Sequence, residues 1–582
     1  MTTLLPARVE SPVSSLPAPH GGVLRELYVP ESDVAALTRH AAGLKSWDLS
    51  DRQLCDLELL LNGAFSPLTG FLTEADYRSV VERMRLADGT LWPMPITLDV
   101  SEALAAELQP GQELALKDRE GVPLAILTIA DLYRPDRGLE AEKVFGTRDA
   151  THPGVADLIE RTQPVYVGGT LRGLKPPRHF DFNQLRDTPR SLREWLASHN
   201  WKRTVAFQTR NPIHRAHREL TVRAAAQVGA NVLLHPVVGR TKPGDVDHFT
   251  RVRCYQALLP HYPAGQVKLS LLPLAMRMGG PREALWHALI RKNFGATHFI
   301  VGRDHAGPGK DRNGKPFYGP LEAQELLKQY QGEIGIEIVT FPAVVYAANR
   351  QTYVTADELQ PGDEVRDVSG TELRDLLTQG QPIPEWFTYP EVAEILKERH
   401  PQPTARGVVV FFTGLSGSGK STLANALISR LAERSARPVT LLDGDEVRKH
   451  LSKGLGFSRE DRDANILRIG WVAAEIARHG GLAICAPIAP YAQTRAEVRK
   501  LVTAAGGHFI EIHVATELEV CESRDRKGLY AQARAGKITQ FTGISDPYEA
   551  PETPELRFDT GDADPALQAG EILALLERRG VL

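Results

Sequence analysis

Residues Gly414 to Ser421 read Gly-Leu-Ser-Gly-Ser-Gly-Lys-Ser, with the apolar run Val408 to Phe412 before them and Thr422 to Leu427 following at helical spacing. The glycines let successive backbone N–H groups turn toward phosphate oxygens, and the start of a helix adds a favourable dipole. Gly414, Ser416, Gly417, Ser418, Gly419, Lys420, Ser421 and Thr422 are therefore expected to bind ATP, with Lys420 as a point charge and Ser421 within reach of Mg²⁺. A plain glycine-rich surface turn would leave the apolar strand and the Lys-Ser pair unexplained. Downstream, Leu441-Leu442-Asp443-Gly444-Asp445 reads as a strand that ends in acid. Beside a phosphate loop that is where a metal and an acceptor hydroxyl are managed. Asp443 thus joins Ser421 as a candidate Mg²⁺ ligand, and Asp445 is the candidate to orient the hydroxyl.

A second chemical centre lies upstream, where Gln208-Thr209-Arg210-Asn211-Pro212-Ile213-His214-Arg215-Ala216-His217 marks the change from a strand to a helix. Pro212 suits a first helical turn, which would put His214 and His217 on one face near the positive end of the helix dipole. Two histidines beside Gln208 and Arg210 suit phosphate or sulfate oxygens. A metal pair is the alternative, but the glutamate of the zinc-protease pattern is missing and no third ligand is nearby, so no zinc is expected. Gly302-Arg303-Asp304-His305-Ala306-Gly307 follows another strand, and Met278-Gly279-Gly280-Pro281-Arg282-Glu283-Ala284 opens a helix. Three strand ends thus carry anion-binding chemistry, and ligands of open parallel sheets collect at that edge.

These motifs must be held by α/β scaffolds. The 582 residues are too many for one core, and 42% hydrophobic with 24% charged content is that of a soluble globular protein. A formal charge of −3 gives no reason to expect nucleic-acid or membrane partners. Cys55, Cys254, Cys485 and Cys521 are scattered without a C-x-x-C pair, which argues against a disulfide framework or thiolate zinc and for a reducing cytoplasm. Residues 1–23 read as a loose leader without a signal peptide's apolar run, and no stretch approaches the ~20 apolar residues that span a bilayer. From 24 to 187, β-like segments alternate with turns such as Gln109-Pro110-Gly111-Gln112, which indicates a small β-rich domain. Strands at Thr204 to Phe207, Val232 to Val238, Val267 to Leu272, His298 to Val301 and Ile336 to Phe341 alternate with helices, which predicts a parallel α/β domain over 188–345. A small connecting domain over 346–400, helical around Thr371 to Arg399, ends in a proline-containing linker at 401–406, and a separate α/β unit fills 407–582.

The upstream motifs, together with Leu234-His235-Pro236-Val237-Val238-Gly239, resemble the nucleotidyl-transfer motifs of the ATP sulfurylase family over roughly 24–400. Leu61-Asn62-Gly63-Ala64-Phe65-Ser66-Pro67-Leu68-Thr69-Gly70-Phe71 is similar to that family's N-terminal PUA-like domain. The resemblance implies a HUP/Rossmann-like nucleotidyltransferase domain in which sulfate attacks the α-phosphorus of MgATP, giving adenosine 5′-phosphosulfate (APS) and pyrophosphate. It implies Gln208, Arg210, Arg303 and Ala306 at the sulfate with Thr209 among the substrate contacts, and Asn211, His214 and His217 at the ATP phosphates. Leu455-Gly456-Phe457-Ser458, Asp461-Arg462-Asp463-Ala464-Asn465, Arg524 to Tyr530 and Phe541 to Glu549 together resemble an APS kinase over nearly all of 407–582.

That second resemblance implies phosphorylation of the APS 3′-hydroxyl by ATP to give 3′-phosphoadenosine 5′-phosphosulfate (PAPS). Arg448, Arg462, Asn465 and Lys527 would bind APS, with its adenine between Phe457 and Phe541. One departure stands out: the family commonly has Ile-Ser-Pro where this chain reads Ile488-Ala489-Pro490, so the serine that is phosphorylated in some relatives is absent. Three readings follow. One is a bifunctional, homo-oligomeric enzyme making PAPS; another is a sulfurylase with a PAPS-sensing, non-catalytic kinase-like domain; the third is a sulfurylase run backward to make ATP.

Overall fold

The computed structural model describes residues 16–242, 244–379, 381–398, 406–434, 437–525, 528–559 and 563–582. They form two compact units. One takes the chain up to Arg178 with Gln184–Ser369 and Pro384–Tyr389; the other takes His179–Asn183, Gly370–Ile383 and Pro390–Leu582.

The first unit opens on a mixed sheet of β1 (Ser46–Asp48), β2 (Gly70–Phe71), β3 (Leu98–Val100), β4 (Glu113–Lys117), β5 (Pro123–Tyr133) and β6 (Val165–Gly173), in the order β1-β4-β5-β6-β2 with β3 also on β6. Helices at Glu31–Ala42, Asp51–Leu61, Glu74–Arg83 and Arg137–Phe145 flank it, a larger helical share than a β-rich reading implies. Their apolar residues, among them Leu57, Leu60, Leu61, Val80 and Val144, are buried in the core. Of the expected loose leader, residues 1–15 lie outside the described residues. His20 is docked: it is 5% exposed, its backbone N–H donates to Asn293 Oδ1 at 2.7 Å, and its Nε2 donates to the Leu91 carbonyl at 2.6 Å.

The second sheet of this unit is fully parallel, with β7 (Thr204–Phe207), β8 (Asn231–Leu234), β9 (Val267–Leu269), β10 (His298–Val301) and β11 (Glu337–Thr340) in the order β11-β10-β7-β8-β9. β8 stops before its expected end at Val238, because Pro236 has no N–H for the ladder. The chain runs outward from β7 through β8 to β9 and then crosses to β10 on the other side of β7. That reversal opens a crevice at the carboxyl ends of β7 and β10. One core joins the two sheets, with Phe65 packed 5.2 Å from Trp286. A small antiparallel sheet of β12 (Val344–Ala347), β13 (Thr352–Thr355) and β14 (Val365–Arg366) follows.

The second unit is built on a parallel sheet of β15 (Val408–Thr413), β16 (Val439–Asp443), β17 (Leu482–Ala486), β18 (His508–Val514) and β19 (Leu556–Phe558), in the order β16-β17-β15-β18-β19. β15 is buried along its whole length, as a central strand covered by helices on both faces must be. The linker expected at 401–406 lies outside the described residues except for Arg406. Among the described residues no helix is long and apolar enough to cross a membrane.

Candidate active sites

In the first unit the crevice is lined by the segments that leave β7 and β10. The first is held from below by the helix His248–Leu258. Tyr255 donates to the Asn211 carbonyl at 2.7 Å, and Arg251 donates to the carbonyls of Arg210 and Val237 at 2.8 and 3.1 Å. Both side chains are buried and four residues apart, so one helix face fixes the backbone of the loop. Thr209 Oγ1 accepts the Asn211 N–H at 3.1 Å, tightening the same turn. Arg210 pairs with Asp245 at 2.5 Å and reaches the Gly307 carbonyl at 3.5 Å, which ties the β7 loop to the β10 loop. Gln208 lies nearby with its amide 3.7 Å from the Met276 sulfur.

The helix after this loop runs over Arg215–Val228, so Pro212 precedes it and does not occupy its first turn. His214 is the N-cap, and His217 Nδ1 accepts the His214 N–H at 3.3 Å. That bond takes the Nδ1 lone pair, so the proton of a neutral His217 ring sits on Nε2. His214 Nδ1 lies 3.0 Å from Thr388 Oγ1 and its ring 4.3 Å from Phe387. Burial, with His217 adding to it, pushes the His214 imidazole down to about 3, and burial also lowers His217 against the opposing pull of Asp367. The pair is therefore neutral at ordinary pH, so what it can offer an anion is N–H donors beside the positive end of the helix dipole. On the other side of the crevice Arg303 is exposed. Ala306 is 9% exposed, with a left-handed φ of 55° and its carbonyl accepting the Gly280 N–H at 3.2 Å.

In the second unit the phosphate loop connects β15 to the helix Lys420–Arg434. Gly419 adopts φ 100°, and at Gly414 a Cβ would meet the Val514 carbonyl at 2.4 Å, so both positions require glycine. Lys420 Nζ donates to the carbonyls of Gly414 and Leu415 at 2.9 and 2.6 Å and to Ser418 Oγ at 3.3 Å. Ser421 donates to Asp443 Oδ2 at 3.0 Å, while Asp443 Oδ1 caps the next helix through the Asp445 N–H at 3.0 Å. One hydroxyl and one carboxylate thus meet where strand and helix ends converge. Gly417 and Ser416 complete the loop, the latter through its carbonyl, which accepts from Tyr530 at 2.9 Å; Thr422 continues into the helix.

Farther out, the Arg448 guanidinium lies 4.6 Å over the Phe457 ring and donates to the Gly456 carbonyl at 3.2 Å. Phe457 is 61% exposed. Arg462 is buried and donates to Thr542 at 2.9 Å and Asp546 at 2.5 Å, and Tyr491 donates to the same carboxylate at 2.7 Å. The Phe541 ring meets Tyr530 edge-on at 5.0 Å. Asn465 is 5% exposed and among the described residues its Oδ1 has no partner, which leaves a buried acceptor that a ligand's donor could meet. Ala489 is 1% exposed with φ 47°, and its carbonyl accepts from Arg495 at 2.8 Å. Lys527 lies outside the described residues.

Several members of these sites went unremarked in the sequence. Thr542, Asp546 and Tyr530 fall inside segments singled out there, but nothing in the sequence paired them with Arg462 or with the phosphate loop. Arg251 and Tyr255 carried the weaker signal of polar groups at helical spacing. Nothing in the sequence connected Thr388 or Asp245 to the crevice.

A crevice at the reversal of one parallel sheet and a phosphate loop on another define a transferase with a nucleotidyltransferase part and a P-loop kinase part. Family models agree: the one described as ATP-sulfurylase matches residues 183–399, that of adenylylsulphate kinase matches 406–559, and that of a PUA-like domain matches 17–176. The chain is similar to the sulfate adenylyltransferase of Gibberella zeae, with 53% identity over 97% of this chain and 99% of the relative, and to that of Aspergillus fumigatus, with 54% identity over 97% and 98%. It is also similar to a solved structure described as a hexameric APS kinase from Thiobacillus denitrificans, with 38% identity and a TM-score of 0.59, covering 97% of this chain and all of that one.

The chain belongs to the sulfate adenylyltransferase family. Because it carries both an ATP-sulfurylase and an adenylylsulphate kinase domain, it is an enzyme of both transferase types, with the domain set of bifunctional sulfate activation to PAPS.

Proposed function

We propose that the crevice in the first unit joins ATP and sulfate and that the phosphate-loop site of the second phosphorylates the product. In the first step a sulfate oxygen attacks the α-phosphorus of ATP, the α–β phosphoanhydride bond breaks, and APS and pyrophosphate leave. Gln208, Thr209, Arg210, Arg303 and Ala306 receive sulfate, while Asn211 and the N–H groups of His214 and His217 receive the ATP phosphates at the start of a helix. Neither step asks for a protein nucleophile; bringing two anions into line and neutralising their charge supplies the rate. The observation that carries this reading is the Arg210 bridge, which ties the β7 and β10 loops together at the sheet's reversal.

In the second step the APS 3′-hydroxyl attacks the γ-phosphorus of ATP, and ADP leaves. Asp445 orients the hydroxyl, and Arg448, Arg462, Asn465 and Lys527 hold APS with its adenine against Phe457 and Phe541. Mg²⁺ arriving with ATP would be held by Ser421 and Asp443, where it neutralises phosphate charge. The Ser421–Asp443 contact at 3.0 Å is a hard-oxygen pair of the kind Mg²⁺ takes, the remaining positions being filled by phosphate and water. No zinc takes part in either step.

We also infer a cytoplasmic homo-oligomer, divided into a PUA-like domain over 24–187, a catalytic domain over 188–345, a connecting domain over 346–400 and a kinase domain over 407–582. Purified chain given MgATP, sulfate and pyrophosphatase is expected to accumulate PAPS through APS. APS without PAPS would leave only the sulfurylase, with the second domain in a regulatory role, and loss of activity that zinc alone restores would overturn the metal reading.

A further inference from the structure

Beneath the Gly302–Gly307 loop runs a chain of polar groups that neither proposed step uses. Glu283 and His287 are fully buried on the helix Gly280–Asn293. The Glu283 carboxylate accepts the backbone N–H groups of Arg277 at 2.9 Å and Gly279 at 2.8 Å. Its Oε1 faces His287 Nε2 at 3.4 Å, and on the other side of that ring Nδ1 lies 3.1 Å from His305 Nε2. His305 also packs edge-on against Phe299 of β10 at 5.5 Å.

Charge around these contacts favours one placement of the protons. Burial by itself would raise the Glu283 carboxyl, but the neighbouring His287 ring and the two backbone N–H groups hold it below the ordinary carboxylate value, so it is an anion. The anion faces Nε2 at 3.4 Å without hydrogen-bonding geometry, and its charge favours the His287 proton on that nitrogen. Nδ1 is then a lone pair, and His305 donates its Nε2–H to it. Burial, reinforced by Arg291, holds both rings neutral.

The loop at the end of this chain needs such support. Asp304 and Ala306 adopt φ of 52° and 55°, a left-handed conformation that side-chain-bearing residues hold only where their surroundings enforce it. One tie is the Gly280 N–H on the Ala306 carbonyl at 3.2 Å, at the same helix start that Glu283 secures. Others are the Asp304 N–H on the Pro320 carbonyl at 3.0 Å and Arg210 on the Gly307 carbonyl at 3.5 Å. His305 adds a buried side-chain anchor, and it lies between the two strained residues.

We propose that His305, oriented by His287 and Glu283, is a positioning residue that holds the Gly302–Gly307 loop ready for the oxyanion, so that sulfate meets Arg303 and Ala306 without first reordering the backbone. This rests on the reading of that loop as the sulfate contact.

The test is steady-state APS formation by the full chain, with KM measured separately for sulfate and for ATP. His305→Leu and His287→Leu are each expected to raise the sulfate KM about tenfold or more while the ATP KM stays nearly constant, and the double variant should be no worse than either single one. His305→Gln, whose amide keeps a donor near the position of Nε2, should restore most of the affinity. A sulfate KM unmoved by His305→Leu, equal losses in both KM values, additive losses in the double variant, or no rescue by Gln would overturn the proposal. Arg303→Ala separates the two ideas. If it leaves the sulfate KM unchanged, the sulfate reading of the loop falls; if it raises that KM while His305→Leu does not, only the positioning role falls. Should the Leu variants fail to fold, ¹⁵N-histidine NMR of the unmodified chain decides: His287 and His305 must both carry their proton on Nε2, and an Nδ1-protonated His287 would end the proposal.

Discussion

On the proposed reading His217 offers a phosphate oxygen a neutral donor: burial keeps the ring uncharged, and the His214 N–H on its Nδ1 at 3.3 Å leaves the proton on Nε2. If, as proposed, His214 and His217 donate to the departing pyrophosphate, replacing either by Ala is expected to slow adenylyl transfer by about a hundredfold. Initial rates of APS formation measure this; a variant within a few-fold of the unmodified enzyme would take that ring out of the reaction. Asn465 permits a sharper experiment, because its buried Oδ1 has no partner among the described residues. Replacement by the similarly sized Leu leaves no acceptor unsatisfied, so folding stability should be unchanged or improved while the KM for APS rises about tenfold. Denaturant midpoints and kinase kinetics read the two effects separately. A large loss of stability would mean that Asn465 is structural.

At the scale of elements, the second unit places β15, β16 and β17 side by side, so that the phosphate loop, Asp443 and the Ile488–Tyr491 segment all leave the same sheet edge. Ala489 sits on that edge in a left-handed, buried conformation, with its carbonyl held by Arg495 and by Thr413 at 3.1 Å. Its methyl group cannot accept phosphate, whereas Lys420, Ser421, Asp443 and Asp445, in the roles proposed for them, would supply what in-line transfer requires. Incubation with γ-labelled ATP in the absence of APS should leave the protein unlabelled, and PAPS should form once APS is added. Stoichiometric label on the kinase domain would contradict direct transfer.

The whole molecule has its two centres in separate compact units, so each should fail alone. Lys420→Ala is expected to lower PAPS formation by about a thousandfold while APS formation survives. Loss of both activities in a folded variant would mean the sites are not independent. The first unit should also lose stability in acid. His152, buried and pushed down to about 4, and His214, pushed down to about 3, both lie in the first unit and are neutral when folded, whereas the unfolded chain protonates them near pH 6.5. Unfolding therefore takes up protons, and stability falls as pH drops through that value. Between about pH 7 and pH 5 each of the two should remove on the order of 2 kcal/mol from the first unit. Every tryptophan except Trp471 belongs to that unit, so urea unfolding followed by tryptophan fluorescence reports on it. A midpoint unchanged over this range would show that these rings are solvated.

The sequence alone determined the features in which chemistry and backbone are local. The phosphate loop needs glycine at set positions between a strand and a helix, and the β7 and β10 strands with the motifs after them are recognised by runs of consecutive residues. The chain could not reveal partners brought in from a distance. Thr388 reaches His214 across 174 positions, Arg462 finds Asp546 across 84, and Arg210 pairs with Asp245 across 35. Burial was equally hidden: it is what makes His214 neutral and leaves the Asn465 acceptor without a partner, and it depends on which faces the tertiary packing removes from water. Pro212 shows the same limit at short range. Its type suits a first helical turn, but the helix begins at Arg215, where His214 caps it.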